Sequence, residues 1–149
     1  MSMDERVKLK LLGKNQEDLK IISAYLQDSI IIVKDIVFLK ESRIFLMIVN
    51  RFMWEDVEKG VFRQNKRIRC AVKFDEVIKV ESKNINQKNK TKPLQCLAIK
   101  CSSIFEETYK IKIFFAGNSV ISVISEVIDA TLQDLGQPWH VKHIPIHKI

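Results

Sequence analysis

The sequence has few of the residues on which common catalytic and nucleotide-binding motifs depend. It contains only four glycines, and none of them builds a glycine-rich loop before a helix, so neither a P-loop nor a dinucleotide-binding fingerprint is present. No serine lies in a G-x-S-x-G elbow, the turn that carries the nucleophile of α/β hydrolases. These absences argue against nucleotide chemistry and serine hydrolysis, and we expect no cofactor.

Cysteines and long apolar runs are also scarce. The three cysteines, Cys70, Cys96 and Cys101, are odd in number, whereas a secreted domain of this size more often carries an even disulfide set. The longest apolar run, residues 44–49, is much too short to span a membrane. The first residues lack the apolar stretch of a signal peptide. The sequence therefore predicts a cytoplasmic protein with free, buried thiols and no membrane contact.

What is present is an ordinary globular composition with an uneven charge. The 149 residues are 46% hydrophobic, which predicts one domain over residues 1–149. The formal net charge is +7, and residues 59–92 hold eleven Lys or Arg against three Asp or Glu, a local charge of +8. Such a segment attracts phosphates or acidic proteins, but a lysine- and asparagine-rich composition also produces solvated surface, which we favour. The candidates for anion or nucleic-acid binding are Arg67, Arg69, Lys73, Lys88, Lys90 and Lys92.

The hydrophobic pattern predicts an α+β domain that is mostly antiparallel β. One short N-terminal helix is expected over residues 16–28, since Leu19, Ile22 and Leu26 share a helical face behind a capping Asn15. About eight strands with hairpin-length connections follow. They predict a curved sheet or a partly open barrel, of which a pleckstrin-homology-like barrel is one candidate.

The clearest predicted strand covers residues 67–74. Its apolar residues alternate with Arg67, Arg69 and Lys73, so that a basic row faces outward. Residues 120–135 have apolar spacing that fits a helix, but their Val and Ile content favours a strand with a bulge. An irregular tail is expected from about residue 137.

Short stretches along nearly the whole chain resemble one protein family. The most characteristic is N-R-F-M-W-E at residues 50–55, and the others lie at residues 17–19, 26–28, 97–99 and 132–139. In this order they resemble a bacterial family known as domain of unknown function 2948. The resemblance implies a single-domain cytoplasmic bacterial protein. It implies no activity, cofactor or catalytic residue.

Four residues of that stretch are the candidate ligand- or partner-binding residues: Asn50, Arg51, Trp54 and Glu55. On a strand, Asn50 and Trp54 share one face and Arg51 points to the other. A polar Asn and a charged Arg within an apolar strand need partners if they are buried. They either hold a ligand at the end of the strand or anchor the core through carbonyl groups or an acid on the neighbouring strand. We favour the anchor.

Three histidines form the one cluster with metal-like spacing, His140, His143 and His147. Three imidazoles can bind zinc and leave a position open. However, Pro145 prevents the helix that would bring them to one face, and the cluster is close to the end of the sequence. The histidines are therefore a weak metal-site candidate.

Three functions remain, and we give them in the order in which the sequence favours them. The first is a non-catalytic binding module that associates with a protein partner or with itself, since no catalytic constellation is found. The second is binding of nucleic acid, RNA in particular, through the basic segment 59–92. The third is a small enzyme that uses residues 50–55 or the histidines.

Overall fold

A single antiparallel sheet forms most of the computed structural model, which describes residues 8–55 and 65–141. Among these residues ten strands are present, rather than about eight, and the predicted class of mostly antiparallel α+β is confirmed. The strands are β1 (Lys10–Gly13), β2 (Ile30–Ile32), β3 (Ile36–Leu39), β4 (Ile44–Phe52), β5 (Lys66–Phe74), β6 (Val77–Lys83), β7 (Pro93–Phe105), β8 (Thr108–Phe115), β9 (Ser119–Ser125) and β10 (Ala130–His140). The helix α1 (Gln16–Leu26) follows β1, and a 3₁₀ turn (Val33–Asp35) joins β2 to β3.

The strand order places distant parts of the chain side by side. It runs β1-β10-β5-β4-β2-β7-β8-β9-β6, and β3 pairs with β4 beside β2. The sheet is not closed into a barrel. The expected open, antiparallel architecture is thus confirmed, while a pleckstrin-homology-like topology stays a prediction.

The helix α1 begins and packs as the sequence predicts. The side chain of Asn15 caps it, with the backbone N–H of Asp18 donating to Asn15 Oδ1 at 2.8 Å. Leu19, Ile22 and Leu26 are buried against the sheet. The helix ends at Leu26, two residues before the predicted end. In the described part of the chain, no helix has both the length and the apolarity needed to cross a membrane.

Gly13 allows α1 to pack closely on β1. A Cβ atom at Gly13 would lie 2.9 Å from Ile22 Cδ1 and 3.2 Å from the Cβ of Ala130 on β10. The first contact is shorter than carbon atoms tolerate and the second is tight, so a larger residue would force the Ile22 side chain or the helix to shift.

The strand predicted over residues 67–74 is confirmed as β5, a central strand between β4 and β10. Ile68, Cys70, Val72 and Phe74 are buried, and the residues between them face outward or are half-buried. This alternation places the apolar face of β5 in the core, together with the buried side chains of α1.

Residues 120–135 form strands, as favoured, but not the single bulged strand that we expected. β9 ends at Ser125, residues 126–129 connect it to the next strand, and β10 begins at Ala130. The break follows from the pairing, since β9 lies between β8 and β6 whereas β10 joins β5 and β1. β10 also continues through residues 137–140, where we expected an irregular tail. Residues 142–149 lie outside the described residues.

Candidate functional site

Arg51, near the end of β4, has the largest side chain among the fully buried described residues. Its exposed fraction is 0%, as is that of Asp134 on β10. Arg51 Nε donates to Asp134 Oδ1 at 2.7 Å, and Arg51 Nη2 donates to Asp134 Oδ2 at 2.7 Å. This two-point contact is the strongest geometry for an arginine and a carboxylate. Asp134 therefore balances a cation that would otherwise be costly to bury.

Glu55 and Tyr25 complete the surroundings of Arg51. Arg51 Nη1 and Nη2 donate to the two carboxylate oxygens of Glu55 at 2.9 and 2.7 Å, and the guanidinium carbon lies 5.5 Å from the centre of the Tyr25 ring. Burial by itself lowers the pKa of Arg51, but hydrogen bonds to Asp134 and Glu55 outweigh it and raise the pKa. Arg51 is therefore permanently charged and held on both sides by carboxylates. We call these four residues the Arg51 cluster.

The strand order explains why Asp134 meets Arg51. Cys70 of β5 pairs with Val49 on β4 and with Asp134 on β10, so the arginine reaches an acid two strands away. We favoured a buried anchor from the sequence, and the observed anchor uses a more distant acid than the neighbouring strand would supply. Burial, followed by the negative charge of Asp134, raises the pKa of Cys70 to about 12. This thiol stays protonated and is not an activated nucleophile.

Trp54 and Asn50 connect the end of β4 to the segment after α1. The strand ends at Phe52, so Trp54 lies beyond it and not on it as predicted, and Glu55 follows Trp54. Trp54 Nε1 donates to the carbonyl of Gln27 at 2.7 Å, and its ring lies edge-on to Phe52 at 4.6 Å between centroids. Asn50 takes part through its carbonyl, which accepts a hydrogen bond from Arg67. The four predicted residues therefore lie together: Arg51 and Glu55 bond to each other, while Trp54 and the carbonyl of Asn50 are held by other parts of the fold.

A cleft with a volume of about 370 Å³ borders the Arg51 cluster, of which Tyr25 and Glu55 line it. We call it the α1 cleft, and it is lined by Glu17, Lys20, Ile21, Ala24, Tyr25, Trp54 and Glu55. Ile21 is 52% exposed although it is a large aliphatic residue. The charged groups at the rim are already engaged, because Lys20 lies 3.1 Å from Glu17 and Glu55 bonds to Arg51. The cleft thus combines exposed apolar area with charged rim groups that have partners, and the Arg51 cluster keeps one net negative charge because two carboxylates share one arginine.

The basic row predicted on β5 has partners of its own. Arg67 Nη1 donates to the carbonyls of Asp28 and Asn50, at 3.1 Å each, and burial lowers the pKa of Arg67. Arg69 lies 3.8 Å from Asp35, and Lys73 lies 3.6 Å from Asp75. Arg67 is thus held within the fold, whereas the side chains of Arg69 and Lys73 are 51% and 43% exposed in long ion pairs, which contribute little. Anion binding by this row stays a prediction.

The lysine-rich loop behaves differently from the β5 row. Lys88, Lys90 and Lys92 are exposed, and the carbonyl of Lys90 accepts a hydrogen bond from the backbone N–H of Lys34 at 3.0 Å. That contact places the loop against the 3₁₀ turn whose Asp35 approaches Arg69. The structure therefore brings the loop and part of β5 to one turn, with an acid between them.

The histidine cluster is described only in part. His140 is exposed at the end of β10, where it pairs with Lys66 on β5. His143 and His147 lie outside the described residues. Within residues 8–55 and 65–141, no three His, Cys, Asp or Glu side chains are placed to hold a metal ion.

Asp134 is the most important residue that the sequence analysis missed. The signal lies in β10, where Ala130, Leu132 and Asp134 occupy alternate positions and are all buried. An acid in register with core residues requires a buried cation, and Arg51 was already a candidate. Pairing the two would have needed the strand order, which was not known.

Comparison with protein families gives one match. The search of curated proteins and the search of solved structures found no match. The family model described as protein of unknown function (DUF2948) matches residues 9–147, nearly the whole chain. The chain therefore belongs to the DUF2948 family.

Proposed function

We propose that the protein is a non-catalytic binding module that takes up a segment of a partner protein in the α1 cleft. The observation that carries the proposal is the contrast between the cleft surface and the groups beneath it. The apolar side chains of Ile21 and Tyr25 line the opening, while the charges of the Arg51 cluster are paired with one another.

The polar groups of the cleft favour a protein segment over a small polar ligand or substrate. Small-molecule sites use a few well-placed polar groups to orient the ligand. Here Glu17 pairs with Lys20, Glu55 bonds to Arg51, and the indole N–H of Trp54 donates to a carbonyl. What the cleft offers is apolar area beside an aromatic ring, which is typical of the centre of a protein–protein interface.

The base of the cleft is rigid, which also supports binding. Trp54 is held by the hydrogen bond to Gln27 and by the Phe52 ring, and Tyr25 lies against the Arg51 guanidinium. A surface that is already ordered loses little conformational entropy when a partner binds. We infer that the partner inserts one large apolar side chain between Ile21 and Trp54.

A photo-crosslinking experiment tests this proposal. A photoreactive amino acid replaces Ala24, an exposed residue that lines the cleft, in the full chain inside cells. We expect one defined adduct, and we expect Ile21→Lys to abolish it by placing a charge in the apolar contact. Leu39→Lys is the matched control, since Leu39 is a 46% exposed aliphatic residue on β3. Equal adduct yields in both variants, or no adduct at all, would contradict the proposal.

We further infer that the protein acts in a reducing compartment such as the cytoplasm. The free thiols of Cys70 and Cys96 support this location, since both are buried and burial raises the pKa of each to about 12. Proteins of oxidising compartments more often use their cysteines in disulfides.

A further inference from the structure

Five lysines lie on the outer face of the sheet made by β7, β8, β9 and β6. On β8, Ile111 and Ile113 are buried while the alternate residues Lys110 and Lys112 point outward. Lys112 pairs with Lys100 on β7, and the register continues from β8 through β9 to β6. We call this surface the lysine face, and it consists of Lys79, Lys83, Lys100, Lys110 and Lys112.

The arrangement of these lysines is electrostatically unfavourable in the free protein. Lys100 and Lys112 are directly opposite each other, with Cβ atoms about 5 Å apart in such a pair. Lys110 follows two residues along the same face of β8. Like charges at these distances destabilise a sheet. A bound anion would relieve the repulsion.

Few acids compensate the lysine face. Glu81 is placed across β9 from Lys112 and lies 3.8 Å from Lys79. Glu106 and Glu107 are in the turn at the end of the β7–β8 hairpin, away from the centre of the face. In the described parts of the chain, no carboxylate comes within 4.0 Å of the other four lysines.

An aromatic ring lies among these charges. Phe114 is outward on β8, half-buried between Ala98 on β7 and Val120 on β9. The Lys100 ammonium lies 5.7 Å from the centre of its ring. Surfaces that bind single strands combine cations for the phosphates with aromatic rings on which bases stack. The lysine face has both components on one surface.

We propose that the lysine face binds single-stranded nucleic acid through its phosphate backbone, with a base stacked on Phe114. The site is separate from the α1 cleft, and it shares only Lys79 and Lys83 with the basic segment 59–92 that the sequence suggested. Net charge complementarity supports the proposal, because five cations face one acid on a surface four strands wide.

The residue types favour phosphate over the carboxylates of an acidic peptide. The lysine face carries no arginine among the described residues, although planar arginines are best suited to two-point recognition of carboxylates. The lysine ammonium is a compact charge that can donate hydrogen bonds to phosphate oxygens from many directions. Such contacts predict binding with little sequence preference.

Fluorescence anisotropy with a labelled single strand of about 12 nucleotides tests the proposal, in RNA and DNA versions of one sequence. Single-strand binding changes with salt by about 0.7 logarithmic units per phosphate contact. Replacing Lys100, Lys110 and Lys112 by Gln should lower the slope by about 2 and weaken binding about 100-fold at about 0.1 M salt. The control variant, with Lys88, Lys90 and Lys92 replaced by Gln, removes the same charge and should bind within about fivefold of wild type.

A second variant separates stacking from charge. Phe114→Leu should weaken binding about tenfold and leave the salt slope unchanged, because it removes the ring and no cation. Equal losses in the two triple variants, or an unchanged slope in the first, would overturn the proposal. Tighter binding to duplex, to polyglutamate or to vesicles containing phosphatidylserine than to the single strand would also overturn it. Circular dichroism checks that each variant is folded.

Discussion

Arg51 of β4, Arg67 of β5 and the lysines of the lysine face carry the same charge, but the fold uses the two arginines and the lysines in opposite ways. Arg51 is fully buried and makes four hydrogen bonds to two carboxylates. Arg67 bonds to two carbonyls and lies 5.7 Å from the centre of the Phe52 ring. The outward lysines, by contrast, lie on the solvent side of β6, β7 and β8.

The difference follows from the chemistry of the two side chains. A guanidinium is planar, weakly hydrated and able to satisfy several acceptors at once, so it can connect strands within the protein. A lysine ammonium is strongly hydrated and stays in water unless burial is compensated. Cationic residues that hold this fold together are therefore distinct from those available to a ligand, and mutations should separate the two groups.

The largest effect is expected from breaking the Arg51 cluster. Asp134→Ala removes two of the four hydrogen bonds of Arg51 and leaves its fully buried Nε without the carboxylate that accepts from it, which should lower the free energy of unfolding by about 3–5 kcal/mol. Urea denaturation measures the change. Glu81→Ala on the lysine face is the matched control and should shift stability by less than about 0.5 kcal/mol. If the two variants were equally stable, the Arg51 cluster would not be a structural anchor.

An intermediate effect is expected from exchanging the two kinds of cation. In Arg67→Lys an ammonium on a shorter side chain replaces the guanidinium, whose Nη1 donates to two carbonyls and whose central carbon lies 5.7 Å from the centre of the Phe52 ring, so we expect a loss of about 1–2 kcal/mol in thermal or urea unfolding. The reverse exchange on the lysine face, Lys112→Arg, should change stability by less than about 0.5 kcal/mol. Similar losses from both exchanges would show that the two regions do not differ.

The smallest effect concerns the repulsion between Lys100 and Lys112. Lys112→Thr removes one of two facing charges and should raise the free energy of unfolding by about 0.5 kcal/mol or less at low salt. The electrostatic part of this gain should disappear at about 1 M salt, where charges are screened within about 3 Å. Lys88→Thr, in the exposed loop, should show no such salt-dependent gain. A gain that is independent of salt would argue against repulsion on the lysine face.

Local features were predictable from the sequence, and contacts between distant segments were not. The cap at Asn15, the buried face of α1 and the alternation of β5 depend on residues within one helix or strand. The inward direction of Arg51 also follows from its position in β4. Its partner Asp134 is 83 residues away and lies two strands away, so no local pattern could identify it.

The sequence by itself determined the predominantly antiparallel class, the N-terminal helix and the family, because these depend on local periodicity and on stretches of residues in order. Only the tertiary structure decided which charges meet. The two-residue period of a strand shows which face a residue occupies. Which strand lies next to it depends on how the whole chain buries its apolar surface. The resulting strand order places Arg51 against the Tyr25 ring and brings lysines of β6, β7 and β8 to one face of the sheet.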